Sequence, residues 1–249
     1  RPRAHAEPAA PGRLPPLPER AAQRLERLQA ALPLSHGAWD EPWEVRKAEY
    51  GSLFWPRDCS PAYGELDREG IGRLLCAASL GPEDSFVDVG SGLGKLVIVA
   101  AVLTSVRTAW GVELSPSRHQ KAVRGVDRLC EAGAMDSAEC GRVRLVQGDC
   151  ADSLPEELLG ASHFLLTMKR SHKSMRHLRD ALRDRPLATH RPRVIWSVAH
   201  NLPHCRGLRY RQRFEVEGFY RPPQRGPRSV GAGGHTKNFV VHEYTLEAT

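Results

Sequence analysis

Residues 86–94, Phe-Val-Asp-Val-Gly-Ser-Gly-Leu-Gly, decide the fold of this chain. An apolar run ends there in a glycine-rich turn, and a second apolar run at 109–112 ends in Glu113, nineteen residues after Gly94. Because glycine has no Cβ and tolerates positive φ, such a turn lets a backbone approach a ligand closely. A carboxylate at the end of the next strand can accept hydrogen bonds from two ribose hydroxyls. The two features predict a site for a nucleoside-containing cofactor.

The spacing of the glycines excludes two phosphate-binding turns. A dinucleotide fingerprint needs G-x-G-x-x-G or a closing Ala, but the third glycine comes one residue early, at Gly94. A P-loop needs four residues between its glycines and a Ser or Thr after the Lys. Here three residues separate Gly90 from Gly94, and Leu96 follows Lys95. The turn is therefore expected to serve a cofactor without a phosphate.

The G-x-G-x-G pattern at 90–94, with Asp88 two residues upstream, resembles motif I of the class I S-adenosylmethionine-dependent methyltransferases. This resemblance implies S-adenosyl-L-methionine as cofactor and S-adenosyl-L-homocysteine as product. It also implies that Asp88 and the turn face the amino-acid part of the cofactor, and that Glu113 faces its ribose. The alternative is an ordinary strand-to-helix turn with glycines for tight packing. The residues implied in cofactor binding here are Asp88, Gly90, Ser91, Gly92, Gly94 and Glu113.

A further acidic residue follows a third predicted strand. Residues 143–147, Val-Arg-Leu-Val-Gln, alternate as a strand does and lead into Gly148-Asp149. By the same resemblance, Asp149 binds the amino group of the adenine. The alternative is a plain turn, because Gly-Asp marks turns of many kinds.

Strand and helix patterns alternate from residue 85 onward, which favours a doubly wound, mostly parallel sheet. The class I methyltransferase resemblance implies a seven-stranded, Rossmann-like α/β sheet, with the ligand over the carboxyl ends of the strands. Segments 209–216 and 237–246 could form the antiparallel hairpin that closes this sheet. We expect the other strands at 85–89, 108–113, 142–147, 162–167 and 192–198, and helices at 64–80, 94–104, 116–132 and 172–184.

The chain divides into three segments by composition. Residues 1–18 hold six prolines and three arginines, which predicts a flexible arm. Residues 19–62 form a helical and irregular extension that includes the expected cofactor lid, with a helix over 19–32 that ends before Pro33. The class I methyltransferase resemblance implies that residues 63–249 form the methyltransferase domain.

Positive charge is concentrated in the second half of that domain. The 249 residues carry a net charge of +7, but residues 169–235 hold 16 Lys and Arg against 4 Asp and Glu, a net of +12. The rest of the chain therefore carries −5. Such asymmetry favours a polyanionic partner, most simply nucleic acid or a nucleosome. The alternative is a solvated basic surface, or arginines paired with acids elsewhere.

Other residue types exclude some classes of site. Six cysteines without a C-x-x-C pair suggest neither a zinc site nor a disulfide framework, and reduced thiols are expected. His172 and His177 fall on different faces of a helix, so we expect no metal. No apolar run reaches the length of a membrane span. The chain begins with Arg1 rather than Met, so a fragment or processed form is expected.

Tyr63-Gly64-Glu65 stands just before the Val-Asp-x-Gly-Ser-Gly-x-Gly strand. This combination resembles the Dot-one-type (disruptor of telomeric silencing) histone lysine methyltransferases, which lack a SET domain and methylate a core-histone lysine on the nucleosome. The resemblance covers residues 50–150, with a weaker match at 235–242. It implies a nuclear, chromatin-bound protein in which Tyr63, Gly64 and Glu65 belong to a loop over the cofactor, with Glu65 near its methionine end. The alternative is a turn that caps the next helix.

The chain departs from this family at the fourth strand of the sheet. The family has an Asn-Asn-Phe segment there, which helps to form the lysine channel, whereas residues 164–170 read Phe-Leu-Leu-Thr-Met-Lys-Arg. The family's Tyr on the last strand has Phe239 as its counterpart. The resemblance therefore supports cofactor binding more directly than the identity of the methyl acceptor.

Three functions stay open on this evidence. The leading hypothesis is a protein lysine methyltransferase that acts on chromatin. The second is a methyltransferase that acts on RNA or a small molecule. The third is a binding module that keeps the fold and the cofactor but has lost catalysis, which Thr167-Met168 favours.

The candidate catalytic residues are Tyr63 and Thr167, because the hydroxyl of either could orient an attacking amine. Methyl transfer depends mostly on positioning and desolvation, and a dry channel lowers the pKa of the acceptor lysine. A dedicated base is therefore not required. The residues expected to face a polyanion are Lys169, Arg170 and Lys173.

Overall fold

A computed structural model describes residues 12–36, 49–54, 56–57, 59, 63–150, 154–167, 172–185, 192–198, 201–221 and 235–247. The helices are α1 Glu19–His36, α2 Arg68–Ala78, α3 Lys95–Leu103, α4 Pro116–Glu131, α5 Ser137–Arg142, α6 Glu156–Leu159 and α7 His172–Arg183, and Tyr50–Phe54 forms a π-helical turn. The strands are β1 Tyr63–Leu66, β2 Ser85–Val89, β3 Thr108–Glu113, β4 Val143–Gln147, β5 His163–Leu166, β6 Arg193–Val198, β7 Leu208–Arg221 and β8 His235–Leu246.

The described strands form one sheet in the order β1-β7-β8-β6-β5-β2-β3-β4. Strands β4, β3, β2, β5 and β6 are parallel, and β8 runs antiparallel to both β6 and β7. The chain winds outward from β2 in both directions, so the switch point between β2 and β5 forms a crevice at the carboxyl ends of the strands. The predicted class I methyltransferase fold is confirmed, with eight strands in place of the expected seven.

The central strands of the sheet are buried on both faces, which explains the apolar run at the start of residues 86–94. Every residue of β2 is buried, and α3, which follows the turn, is buried along almost its whole length. Two apolar clusters cover the two faces of the sheet. A parallel strand between two helical layers must be apolar throughout rather than alternating. The glycine turn between β2 and α3 is thereby held in a rigid position.

The eighth strand is β1, in a segment where the sequence predicted the start of a helix. The helix expected at 64–80 begins at Arg68, because the Asp67 side chain accepts hydrogen bonds from the backbone N–H groups of Glu69 (2.9 Å) and Gly70 (3.2 Å). Residues 63–66 pair instead with residues 218–221 of β7. Strand β7 therefore runs to Arg221, beyond the predicted end at residue 216, and residues 222–234 lie outside the described residues.

Close approach of these two strands depends on Gly218. A Cβ at this position would lie 2.4 Å from the backbone oxygen of Glu65 and 2.6 Å from the ring of Phe239. Only a residue without a side chain fits there. The edge strand β1 is thereby held against β7, which brings Glu65 toward the rest of the site.

The N-terminal segment packs on the same core. Helix α1 continues past Pro33 to His36, beyond the predicted end at residue 32. Pro33 lies in the last turn, where little of the helix follows the bond that proline removes. Leu25 and Leu28 of this helix are buried in the cluster that covers α3. Residues 12–18, predicted as part of a flexible arm, contact the domain through Leu14 and Leu17, and residues 1–11 lie outside the described residues.

Cys130 and Cys140 form a disulfide between the end of α4 and α5, although reduced thiols were expected. Their Cα atoms are 6.1 Å apart, within the range that a disulfide spans. The turn between the two helices brings the thiols together. Spacing along the chain carried no such signal, because contact between the two residues depends on how α5 folds back on α4.

Candidate active site

The glycine turn after β2 is tied to the end of β3. All three of its glycines have positive φ, between 55° and 90°. The backbone N–H groups of Gly90 and Ser91 donate to the carbonyl of Val112 at 2.8 and 3.0 Å. A Cβ at Gly111 would lie 2.8 Å from Ser91 Oγ, so a side chain at this position of β3 would displace the turn residue Ser91. The turn is therefore a fixed concave backbone at the carboxyl edge of the sheet.

Glu113 is buried at the end of β3, with its carboxylate held by backbone donors on both sides. Gly92 N–H donates to Oε2 and Ser115 N–H donates to Oε1, each at 2.8 Å. Ser115 is also the N-cap of α4, where its hydroxyl accepts from Arg118 N–H. Carboxylate oxygens can each accept more than one hydrogen bond, so Glu113 can still accept from a ligand diol. The turn and this acid, which were predicted to share a ligand, are thus also in direct contact with each other.

Asp88 is 1% exposed and lies against the end of β5. The Thr167 hydroxyl lies 3.2 Å from Asp88 Oδ1, 3.0 Å from the Val89 carbonyl and 3.2 Å from the Gly90 carbonyl. Burial raises the pKa of Asp88 to about 7, the Thr167 hydrogen bond acts in the opposite direction, and the charges of Glu113 and Glu65 raise it further. A cation bound at this position would favour the ionised carboxylate.

Lys95 is a site residue that sequence reasoning missed. It begins α3 directly after the turn, is 2% exposed, and its Nζ lies 3.0 Å from Glu65 Oε2 on β1. The available signal was a lysine at the head of an otherwise apolar helix, where a buried charge needs a partner. Tyr63, Gly64 and Glu65, expected in a loop over the cofactor, belong instead to strand β1, because their backbone pairs with β7. Of Tyr63 and Gly64 the structure describes only the backbone.

Asp149 follows β4 and meets Arg57, a second residue that sequence reasoning missed. Its side chain is 5% exposed, and its Oδ2 lies 3.3 Å from Arg57 Nε. The backbone N–H of Gly148 donates to the carbonyl of Glu113 at 3.0 Å, which links this acid to the end of β3. No pattern in the sequence pointed to Arg57, because the contact joins the N-terminal extension to the end of a strand.

The predicted cofactor residues thus gather at one edge of the sheet. Lys169 and Arg170 lie outside the described residues, and Lys173 lies in the first turn of α7 with only its backbone described. Phe239 is buried in the apolar cluster with Leu66 and Val216.

The part of the chain that the structure describes contains neither a metal-binding cluster nor a membrane-spanning helix. No group of three or more His, Cys, Asp or Glu side chains there is arranged to hold a metal ion. Across the same ranges, no helix combines the length and the apolar character needed to cross a membrane.

The sequence pattern of the family described as "Histone methylation protein DOT1" matches residues 57–153. A Caenorhabditis elegans histone-lysine N-methyltransferase, H3 lysine-79 specific, is 37% identical over 68 residues, which is 26% of this chain and 7% of that protein. A Cryptococcus neoformans protein of the same description is 37% identical over 75 residues, which is 30% of this chain and 10% of that protein. The alignments therefore span a tenth or less of these relatives.

Solved structures with a similar fold are more distant in sequence. An RNA methyltransferase from Salinibacter ruber, in complex with S-adenosyl-L-homocysteine, has a TM-score of 0.46 and 21% identity, over 72% of this chain and 91% of that one. A precorrin-6y C5,15-methyltransferase from Geobacter metallireducens has a TM-score of 0.43 and 16% identity, over 70% of this chain and 86% of that one. Over residues 57–153, which carry the glycine turn, Glu113 and Asp149, the chain is similar to the DOT1 histone methylation proteins, within a class I methyltransferase fold.

Proposed function

We propose that this chain is an S-adenosylmethionine-dependent methyltransferase whose acceptor is a histone lysine in chromatin. The observation that carries the proposal is the Glu113 carboxylate, which the backbone of the glycine turn holds at 2.8 Å beside the buried Asp88. The segment that contains both acids matches the histone methylation family. Residues 63–249 form the catalytic domain in this proposal, with 19–62 as an extension that supplies the lid.

The buried acids suit a cationic nucleoside ligand. Asp88, Glu113 and Glu65 are near one another, and their mutual repulsion contributes to the raised pKa of Asp88. S-adenosylmethionine carries a sulfonium and an α-ammonium, which would offset that repulsion. Its diol suits the carboxylate of Glu113, and its adenine amino group suits Asp149. This fit rests on the donor and acceptor chemistry of the residues present.

The ion pair of Glu65 and Lys95 suits the other end of the ligand. A carboxylate and an ammonium 3.0 Å apart are complementary to the two charged groups of an α-amino acid. The Lys95 ammonium can donate to the ligand carboxylate, and Glu65 or Asp88 can accept from the ligand ammonium. The turn residues Gly90, Ser91, Gly92 and Gly94 form the backbone wall between them in this proposal, and Tyr63 and Gly64 would bind the cofactor from strand β1.

When held by Glu113, Asp149 and the Glu65–Lys95 pair, S-adenosylmethionine would supply an electrophilic methyl group for transfer from sulfur to the lysine nitrogen, and the electron pair of the broken bond would stay on sulfur. The chain must then exclude water and align the amine. Exclusion of water favours the neutral lysine, whose proton leaves to solvent before attack. Tyr63 and Thr167 are the proposed residues that orient the amine. With water excluded and the amine aligned, methyl transfer needs no dedicated base.

A chromatin substrate is consistent with the charge distribution. The net charge of +12 over residues 169–235 would favour a nucleosome as partner, and Lys169, Arg170 and Lys173 are proposed to face its polyanionic surface. The protein would accordingly act in the nucleus.

The test is transfer of labelled methyl from S-adenosylmethionine to nucleosomes, free histones and RNA in parallel. Glu113→Ala should abolish transfer, and Glu157→Ala, which removes an exposed carboxylate on α6, should not. Label on a histone lysine, lost only in Glu113→Ala, is the expected result. Label on RNA alone would replace the chromatin substrate with an RNA substrate.

One observation favours a second candidate, a module that binds the cofactor without transferring its methyl group. The Thr167 hydroxyl has one proton, and Asp88 and two backbone carbonyls lie within hydrogen-bonding distance of it. A hydroxyl held in this way is poorly suited to orient an amine. Bound cofactor with no label on any of the three substrates would support this candidate.

A further inference from the structure

Part of the N-terminal extension lies across the carboxyl ends of β3 and β4. We call residues 49–54 together with residues 56–57 the flap. At one end of the flap, Glu49 Oε2 accepts hydrogen bonds from the hydroxyls of Ser115 and Ser117, the latter at 3.1 Å. Both serines lie at the start of α4, just after Glu113. The flap is therefore anchored beside Glu113, the residue proposed to bind the ribose.

Phe54 anchors the middle of the flap. Its side chain is buried, and the guanidinium of Arg118 lies 5.9 Å from the centre of its ring. Arg118 belongs to the first turn of α4 and is itself buried. A buried aromatic side chain under a guanidinium fixes the flap against α4.

The other end of the flap reaches Asp149 through Arg57. The Arg57 guanidinium forms an ion pair with Asp149, in which Nε lies 3.3 Å from Oδ2 without the alignment of a hydrogen bond. It donates from a terminal nitrogen to the carbonyls of Ser52 (3.4 Å) and Leu53 (3.3 Å). One planar group thus joins the last turn of the flap to the acid after β4. Arginine suits this role because its donors diverge in a rigid fork.

The contact restricts how Asp149 can meet a ligand. The carboxylate is almost fully buried, so its orientation depends on the groups that bind it, and Arg57 engages Oδ2. A carboxylate accepts hydrogen bonds and donates none, so it suits an amino group on the purine and opposes an oxo group in the same position. A buried polar group left without a complementary partner is costly, which makes such a contact selective.

We infer that Arg57 is a positioning residue that holds Asp149 so that the adenosine end of the site selects a 6-aminopurine over a 6-oxopurine. This inference rests on the proposed cofactor binding and assigns to the flap a part in ligand specificity. Arg57 acts through Asp149 and through the flap backbone, and it does not take part in methyl transfer.

The test compares the affinities of S-adenosylhomocysteine and its 6-oxo analogue, S-inosylhomocysteine, by titration calorimetry. The wild-type protein should prefer the amino compound by about ten- to a hundredfold. Arg57→Met should bind the amino compound more weakly and lose most of this preference, whereas Arg57→Lys, which keeps the charge, should restore part of it. Arg128→Met, which changes an exposed arginine on α4, is the matched control and should behave as wild type.

Each contrary outcome has a separate meaning. An unchanged preference in Arg57→Met would overturn the inference and leave the proposed function intact. An equal loss of affinity for both compounds in Arg57→Met would also overturn it, because Arg57 would then only support the fold. Failure of the wild-type protein to bind S-adenosylhomocysteine would overturn both proposals. Thermal unfolding of each variant identifies any that fail to fold.

Discussion

At the scale of single residues, Asp88 is predicted to couple proton binding to cofactor binding. Its pKa of about 7 in the folded chain stands well above the ordinary value of 3.8, first because of burial and then because Glu113 and Glu65 lie near. At pH values between these two pKa values, the carboxyl of Asp88 is therefore protonated to a greater extent in the folded state than in the unfolded state. By linkage, the contribution of Asp88 to stability falls as the pH rises from about 4 to about 7, and a cationic ligand opposes that fall.

We predict that the affinity for S-adenosylmethionine rises about tenfold between pH 6 and pH 8, because ionised Asp88 increases over that range. Asp88→Asn should bind more weakly and show little of this pH dependence, since the amide does not titrate. Asp127→Asn, on the exposed side of α4, serves as control. Calorimetric titration at several pH values measures the effect. A pH dependence that survives in Asp88→Asn would assign the titration to another group.

At the scale of helices and strands, Arg193 joins three elements. It begins β6, is 2% exposed, and burial lowers its pKa to about 10. Its guanidinium donates to backbone carbonyls near the ends of α6 and α7, where a helix leaves its last carbonyls without partners. These carbonyls belong to Leu159, Ala161, Leu182 and Arg185, at 2.5 Å for Leu159, 3.0 Å for Ala161 and 3.1 Å for Arg185. One buried cation thus fastens two helices to the sheet.

Arg193→Met should lower the free energy of unfolding by about 3 kcal/mol, because several buried carbonyls lose a charged donor. Urea denaturation followed by circular dichroism measures the change. Arg209→Met removes an exposed arginine on β7 and should change stability by less than about 1 kcal/mol. Equal stabilities of the two variants would mean that water satisfies these helix ends.

At the scale of the whole molecule, the charge distribution separates the chain into a basic stretch and an acidic remainder. Residues 169–235 carry a net +12 and the other residues carry −5. A polyanion that binds the basic stretch releases its counterions, so its affinity must fall as salt is added. The steepness of that fall reports how many contacts form.

Reversal of Lys169, Arg170 and Lys173 to Glu should weaken nucleosome binding and reduce the slope of log affinity against log salt by about 2–3. The matched control reverses three exposed arginines of the remainder, Arg20, Arg27 and Arg124, and should leave the slope nearly unchanged. Fluorescence polarisation over a range of salt concentrations measures both. Equal slopes for the two triple variants would remove this stretch from the interface.

Much of the fold could be predicted, because the decisive signals are local. The strands at 85–89 and 108–113 begin and end as predicted, since a strand buried on both faces is one apolar run bounded by turns. Strand β1 could not be predicted, because residues 63–66 pair with residues 218–221, over 150 positions away. The helix signal in that segment starts only where Asp67 supplies a cap.

The class of the sheet and the order of the acids at its edge follow from the sequence alone, because the glycine turn, Glu113 and Asp149 each come after a local apolar run. The partners of those acids were decided only by the tertiary structure. Lys95 meets Glu65, and Arg57 meets Asp149, across 30 and 92 positions of the chain. Charged side chains give no periodic signal of their own, and which of them become paired depends on how the layers pack.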